Sequence, residues 1–499
     1  KFDGNLTLQY NKVLGVHSLN VGVGSNLTES TEEGDSYTGV GFVNPDMVFI
    51  GAAISFEENS SPNGSYDKSR LVGFFGNVNY GYDNRYFLDL SFRTDGSSKF
   101  GRNSRFAPFW SVGVAWNVHK EAFWSGDEKS SLKLRASVGS TGTTNFSSTQ
   151  ALTTYNYDFS KIYNGVFGVS LAGYGNPELK WQNTISYNVG VDMTLLKGLV
   201  TFNGDFYIKN TENLLLPLTV APSTGFSSYV ENIGKLRNTG IEGRLRLNLI
   251  RDTQRDLRWN VTLSAFHNKS KITKLSNQLE EINKYANSDW YNQGTVVYRQ
   301  YEAGRSQTAL MMVRSGGIDP ATGNEVYIKR NGELTFEYDA NDKVKCGDMK
   351  PTIEGNVNTN LTWKGFTLYM LFKYQFGAKA YNGTLASKVE GANPYKNADK
   401  RVLYDRWKEP GDHAKFRRID DRTSPYQTTR LVFDNDLFSL SSVSLSYELP
   451  RDISQKIYAD RVRLMLSTTD VFRLSTIKQE RGTSYPFART FNLSLNVTF

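Results

Sequence analysis

The last ten residues, Thr490-Phe-Asn-Leu-Ser-Leu-Asn-Val-Thr-Phe499, alternate without a break. Phe491, Leu493, Leu495, Val497 and Phe499 are apolar, and Thr490, Asn492, Ser494, Asn496 and Thr498 are small and polar. Successive side chains of a strand point to opposite faces, so strict period two reads as a β-strand with one apolar face. In a sandwich that face packs on a core. In a transmembrane barrel it meets lipid, and the polar face lines the lumen.

The pattern recurs upstream. Leu6, Leu8 and Tyr10 show it, as do Tyr86, Leu88, Leu90 and Phe92, then Ile185 to Met193, Trp259 to Ala265, and Phe366 to Phe376. About fifteen such segments can be drawn, many near the roughly 9–11 residues that cross a bilayer at a tilt. Their connections are lopsided. Short ones fall at Asp83-Asn84, Lys197-Gly198, 251–256, 363–365 and 451–458; long ones fall at 31–68, 143–179, 216–236, 276–351, 382–435 and 475–488. Alternation of short and long is the signature of an up-and-down transmembrane barrel with tight periplasmic turns and long extracellular loops. Compact domains seldom carry loops above about fifteen residues. Aromatic residues gather beside the short turns: Tyr80, Tyr82 and Tyr86, then Trp116, Phe123 and Trp124, then Trp363 and Phe366. Rings at the headgroup level explain that placement.

Composition removes other classes. The 499 residues carry a net charge of +8, 13% aromatics, 43 Gly, one Cys and a mean hydropathy of −0.47. A single Cys346 excludes a disulfide scaffold and a Cys-cluster metal site. Basic residues are interleaved with acids, so no nucleic-acid footprint is present. No apolar run approaches the length of a membrane helix. Gly-x-Ser-x-Gly, His-Glu-x-x-His and Walker motifs are absent, which speaks against an enzyme; a glycosidase carboxylate pair cannot be judged by counting.

Several phrases, in order, carry a resemblance. They are Arg70-Leu-Val-Gly-Phe-Phe-Gly-Asn-Val-Asn-Tyr80, Arg85-Tyr-Phe-Leu, Asp95-Gly-Ser-Ser-Lys-Phe100, Leu132-Lys-Leu-Arg-Ala-Ser-Val-Gly-Ser-Thr-Gly142, Gly175-Asn-Pro-Glu-Leu-Lys-Trp-Gln182 and Asp205-Phe-Tyr-Ile-Lys-Asn210. Asn232-Ile-Gly234, Asn238-Thr-Gly-Ile-Glu242 and Gly317-Ile-Asp-Pro-Ala-Thr-Gly323 follow. Over roughly residues 70–499 the chain resembles the C-terminal barrel portion of a SusC/RagA-type TonB-dependent transporter of a Bacteroidota outer membrane. The resemblance implies an all-β, antiparallel barrel of roughly 22 strands with a plugged lumen. About fifteen strands then leave the first strands, the plug and the TonB box outside this chain. It implies long loops outside, the C-terminus in the periplasm, and residue 1 in an extracellular loop rather than at the biological start.

The implied partners are a SusD-like surface lipoprotein acting as a lid, TonB, the N-terminal plug and barrel segment, membrane lipid, and an oligosaccharide or peptide substrate. No cofactor is implied, since TonB and the proton motive force supply the energy; calcium would belong to the partner lipoprotein or the loops. Oligosaccharide uptake is the commoner family task and oligopeptide uptake the second. A passive porin-like barrel and a surface enzyme stand as alternatives.

Substrate recognition calls for aromatic platforms with convergent polar groups. Tyr285, Trp290, Tyr291, Tyr298, Tyr395 and Tyr426 in the long loops are the candidates, and the same rings would serve loop packing. Trp407, within Asp405-Arg-Trp-Lys-Glu-Pro-Gly-Asp412, reads as structural. Lys133, Arg135, Arg244, Arg246, Lys373, Arg461 and Arg463 fall on the polar strand faces. They either steer an acidic substrate or pair with plug and strand carboxylates. Asp339-Ala-Asn-Asp342 lacks the spaced ligand set of a calcium loop.

Overall fold

The computed structural model describes all residues except 45, 47–48, 58–62, 128, 144–150, 220–227, 233, 276–282, 284–286, 288–291, 294–299, 394, 396–397, 422 and 478–487. The alternating segments form one fifteen-stranded sheet whose order follows the chain. Its strands are β1 Phe2–Leu14, β2 His17–Ser36, β3 Asn63–Tyr82, β4 Tyr86–Ser97, β5 Phe106–Asn117, β6 Ser131–Thr143, β7 Gln182–Leu195 and β8 Val200–Glu212. They continue with β9 Lys235–Asp252, β10 Leu257–Lys274, β11 Ile353–Trp363, β12 Phe366–Phe376, β13 Leu437–Glu448, β14 Arg461–Ser475 and β15 Phe491–Thr498. Pairing is antiparallel, as in the register Ile353↔Phe376 to Trp363↔Phe366.

Turn chemistry fixes the short hairpins. Asp83 and Asn84 both take φ 51°, and Lys364 and Gly365 take 46° and 83°. Two left-handed residues match the twist of the flanking strands. Rings gather there: Tyr82 stacks on Tyr86 at 6.4 Å, and Phe366 meets Tyr447 at 4.4 Å.

The ladder runs further than alternation showed. β2 and β3 are 20 residues each and pair from His17↔Tyr82 to Ser36↔Asn63. Thr31-Glu-Glu-Gly-Asp-Ser36 has no apolar side chain to mark its period, but backbone pairing does not need one. Long connections also hold strands of their own. Thr154–Tyr163 and Val166–Gly173 form a hairpin around Asn164-Gly165, and five short strands lie between Ala309 and Asp348. The alternation of connection lengths has one exception. Residues 98–105 join β4 to β5 on the long-loop side, yet 118–130 on the other side is longer.

The chain divides into two compact units, each described on its own: residues 1–114, 138–185 and 212–232, and residues 115–137, 186–211 and 233–499. The first unit explains the brief 98–105 connection. Phe100, 1% exposed, stacks on Trp181 at 4.2 Å, and Phe109 meets the same ring edge-on at 5.4 Å. The Trp181 indole donates to the Arg105 carbonyl at 3.1 Å. Gly101 permits this folding-in, since a Cβ there would lie 1.7 Å from the Pro177 carbonyl oxygen. Asn232 ties the phrase 175–182 down, accepting from the Lys180 N–H and donating to its carbonyl, both at 2.7 Å. In the second unit the outward apolar faces lie open: Val189 is 60% and Ile241 57% exposed. Leaving that much aliphatic surface uncovered suits a lipid environment.

Candidate functional site

Two long connections, 300–351 and 377–435, fold onto each other on the side opposite the short turns. Ala309–Met312 pairs with Val344–Asp348, and Leu310, Met312 and Val313 are each 1% exposed. Arg314–Ile318 and Glu325–Ile328 form a hairpin around Asp319-Pro-Ala-Thr-Gly-Asn324. The Asp319 carboxylate accepts from the Thr322 hydroxyl at 2.6 Å and N–H at 3.0 Å, and that hydroxyl leads the contacts that hold it below the usual carboxylate range. Gly323, at φ +73°, lets Trp407 lie over the turn, and the Trp407 indole donates to the Pro320 carbonyl at 2.8 Å. From the second connection, Ala386, Val389, Phe416 and Leu431 make a small apolar core.

A buried ionic knot joins the two. Arg430 donates to Glu390 at 2.6 and 2.7 Å and to Glu325 at 3.0 Å. Arg417 donates to Glu390 at 2.9 Å and to Asp421 at 2.6 Å. The Glu390 and Glu325 side chains are 0% and 1% exposed. Thr428 donates its hydroxyl to Glu325 at 2.6 Å. Arg406 donates to the carbonyls of Val389, Glu390, Val402 and Arg417. Burial opposes the Arg430 charge, but the attraction of Glu325 and Glu390 outweighs it and lifts the guanidinium above its ordinary value. For Arg406 burial outweighs the pull of Glu390, and the neighbouring arginines add to it, so its guanidinium is drawn below its ordinary value. The nearby phenols Tyr327 and Tyr381 are pushed up, chiefly by burial and then by Glu325 and Glu390 respectively. Three cations face three carboxylates, and most of the remaining donors reach carbonyls or the Thr423 hydroxyl, which is what a buried charge cluster needs to be tolerated; Arg430 Nε is buried without a partner among the described residues.

Of the aromatic candidates, Tyr426 stacks flat on Tyr338 at 4.0 Å and meets Tyr327 edge-on at 6.3 Å, joining the two connections. Tyr395 stands 80% exposed at the surface of the second connection. Tyr285, Trp290, Tyr291 and Tyr298 lie outside the described residues.

The strand-face charges divide. Arg135 bridges Asp192 at 2.7 Å and Asp205 at 3.1 Å, and a side chain at Gly190 would fill the space they occupy. Arg461 pairs with Glu448, Arg463 donates to the Ser446 hydroxyl at 2.9 Å, and Lys133 is half-buried. Arg244, Arg246 and Lys373 are exposed and meet no carboxylate among the described residues. Asp339 and Asp342 act as local caps, accepting from the N–H of Asn341 at 2.8 Å and of Arg330 at 2.9 Å.

Sequence reasoning passed over Glu325, Glu390, Arg417, Arg430 and Tyr338. No local spacing announces them, because Arg430 lies 105 residues from Glu325 and 40 from Glu390. Chemically, the knot offers no free base or nucleophile: its two deepest carboxylates already accept from arginines. Its capacity is to hold two long connections in one shape and to present the rings and amides on their surface.

The family model described as TonB dependent receptor-like, beta-barrel matches residues 1–387. TonB-dependent receptor P3 of Formosa agariphila is 28% identical, over 99% of this chain and 52% of that protein. TonB-dependent receptor SusC of Bacteroides thetaiotaomicron is 25% identical, over 86% and 44% respectively. The chain thus spans about half the length of the curated relatives it matches. Among solved structures, the RagAB peptide importer in its closed-closed state superposes with a TM-score of 0.84 at 21% identity, over 100% of this chain and 55% of that one. Identity that low speaks for the fold alone.

Proposed function

Because the chain belongs to the TonB-dependent receptor-like β-barrel family, we propose that it forms the C-terminal part of the barrel of an outer-membrane importer. Family members are receptors and transporters, and the sheet's open aliphatic faces suit the outer membrane. The plug and the first strands would be supplied by the N-terminal segment of the same transporter. The long connections would face outward and meet a SusD-like lipoprotein, and TonB would act on the plug. The chain itself would do no covalent chemistry. Its strands would satisfy every backbone group in lipid through the ladder, leaving selectivity to the connections.

One observation carries this reading: two long connections are locked together by the buried Glu325–Arg430–Glu390 knot, opposite the short-turn side of a sheet whose outward face is aliphatic. A rigid rim of that kind is of use where a captured oligomer must be held against a lid before release inward. The substrate reading is an oligosaccharide, because exposed rings such as Tyr395 and Tyr404 provide flat apolar platforms for sugar faces. An oligopeptide is the second reading, favoured by the fold shared with a peptide importer. Uptake of fluorescent oligosaccharides and oligopeptides by cells lacking the transporter, with and without the complete gene restored, tests both. TonB-dependent accumulation of one class supports the importer. Equal leakage of both classes without TonB would favour a passive pore, and extracellular breakdown products without TonB would favour a surface enzyme.

A further inference from the structure

Along β10 one face reads Trp259, Val261, Leu263, Ala265, His267, Lys269 and Lys271. Its register partners on β9 continue that face: Leu245, Gly243, Ile241, Thr239 and Arg237 stand opposite Leu263 through Lys271. The face is apolar up to Ala265 and basic beyond His267. From Trp259 to Lys269 is about 33 Å of strand at roughly 3.3 Å per residue. A tilt of about 40° leaves about 25 Å along the membrane normal, the height of the apolar band of such barrels. Trp259 and Trp363 therefore mark one headgroup level and Lys269 the other.

Two hollows adjoin at His267 on this face. The first, about 530 Å³, is walled by Leu134, Val189, Val191, Phe202, Phe206 and Ile241. It exists because Gly204 and Gly243 place no side chain in it: the nearest atoms to a Cβ on Gly204 are the Phe202 ring at 2.9 Å and Val191 at 3.6 Å. The second, about 450 Å³, is bordered by Lys269, Lys271, Arg305, Lys345 and Lys350 against one carboxylate, Asp348. Asp348 is already engaged, accepting from the Thr308 hydroxyl at 2.6 Å and the Lys350 N–H at 3.0 Å. Arg305 pairs with Glu302. Among the described residues none of the four lysines has an ion-pair partner.

We propose that the two hollows form one site for a phosphate-bearing anionic lipid of the leaflet at the long-connection side, with phosphatidylglycerol as its simplest probe. The phosphate sits among Lys269, Lys271 and Lys350, and an acyl chain lies in the groove over Gly204 and Gly243. A soluble phosphate would have no use for the groove, and a neutral lipid none for the lysines. The groove lies within the apolar band, where the molecule already present is lipid. This inference rests on the membrane-spanning reading of the sheet and is independent of the imported substrate.

The test uses the complete transporter, purified in detergent. Native mass spectrometry follows titration with dioleoylphosphatidylglycerol, dioleoylphosphatidylcholine or inorganic phosphate. Each lysine near an anionic lipid surface contributes about fivefold in affinity, so Lys269→Gln, Lys271→Gln and Lys350→Gln together weaken phosphatidylglycerol binding roughly a hundredfold. Gly243→Trp, which fills the groove and leaves the lysines, also weakens it. Phosphatidylcholine binds the native protein at least about tenfold less well than phosphatidylglycerol. Equal binding of the two lipids, or unchanged binding by the triple variant, overturns the proposal. So does full displacement of phosphatidylglycerol by inorganic phosphate together with undiminished binding by Gly243→Trp, the result expected of a free-anion site. If a variant fails the heat-modifiable gel shift of a folded barrel, the native protein alone decides. Its phosphatidylglycerol affinity must fall with rising salt, and a salt-independent affinity overturns the proposal.

Discussion

Replacing Glu390 by Ala removes the centre of the knot. Three arginine hydrogen bonds end on its carboxylate, two from Arg430 and one from Arg417, and the side chain is fully buried. Arg430 would keep Glu325 at 3.0 Å and Arg417 would keep Asp421 at 2.6 Å, so neither cation is wholly orphaned. Even so, buried positive charge would exceed negative by one. Breaking a buried pair costs about 3–5 kcal/mol. At about 1.36 kcal/mol per decade, that is roughly two to four orders of magnitude in the local opening equilibrium. The loss stays local, because the strand ladders share no hydrogen bond with Glu390. Hydrogen exchange on the complete transporter reads it: amides of 309–318, 325–328 and 429–434 lose protection by that factor, up to the stability the connections possess. Protection in β10 to β12 holds, and so does the heat-modifiable gel shift. Glu390→Gln keeps an acceptor but loses the charge, and falls between. The apolar pair Glu390→Leu with Arg430→Met recovers most of the protection, since exchanging a whole buried pair for apolar groups is close to neutral. Unchanged protection in Glu390→Ala, or loss spread evenly into β10 to β12, refutes the reasoning.

Four further outcomes follow from the same contacts. Trp181→Ala, which deletes a ring stacked on Phe100 and bonded to Arg105, costs the first unit about 3–5 kcal/mol, read as increased exchange in 97–109. Lys343 is held at about 8 by burial, below its unfolded value of 10.5. The unfolded segment therefore binds more protons between those values, and protection around 340–345 rises from pH 8 toward 10 and is flat below 8; Lys343→Met removes the rise. Above about pH 10 the raised phenols Tyr327 and Tyr381 turn the trend downward, because only the unfolded chain then ionises them. Tyr395→Ala lowers uptake without changing exchange in the knot, whereas Tyr426→Ala forfeits its stack on Tyr338, about 0.5–1.5 kcal/mol, and loosens both connections. Arg135→Ala leaves Asp192 and Asp205 facing each other and lowers the unfolding free energy by about 1 kcal/mol for a one-third-exposed cluster, read as a lower urea midpoint of the gel shift; Arg135→Lys recovers only part.

Period two carried most of the strand sheet. Thr490 to Phe499 reads as a strand and is one from Phe491 to Thr498, and the segment beginning at Tyr86 starts where expected. Alternation is legible here because lipid on one side and polar surroundings on the other force opposite chemistry on adjacent residues. Where that contrast ends, the signal ends while the strand continues. Glu32, Glu33 and Asp35 on β2 pair with Asp67, Tyr66 and Gly64 well past the last apolar residue. The Asn164-Gly165 hairpin carried a usable local sign, since an Asn-Gly pair suits two left-handed positions.

The rim is a different kind of information. Among the described residues every hydrogen bond to the Glu390 carboxylate comes from a residue 27 or 40 positions away, and Glu325 meets Arg430 across 105. In the sequence Glu325 is one carboxylate between Asn324 and Val326, and Arg430 one cation between Thr429 and Leu431, with nothing to distinguish them from solvated charges. What selects them is the apolar strand Ala309–Met312 and the core of Ala386, Val389, Phe416 and Leu431, which bring their backbones together and remove water. Once water is gone, an unpaired charge is too costly to keep, so partners must arrive as a balanced set. The chemistry of the rim is therefore fixed by which segments its apolar residues bury together. That is a property of the folded connections, and it explains why a one-dimensional pattern finds the alternating wall of strands more readily than the packed connections.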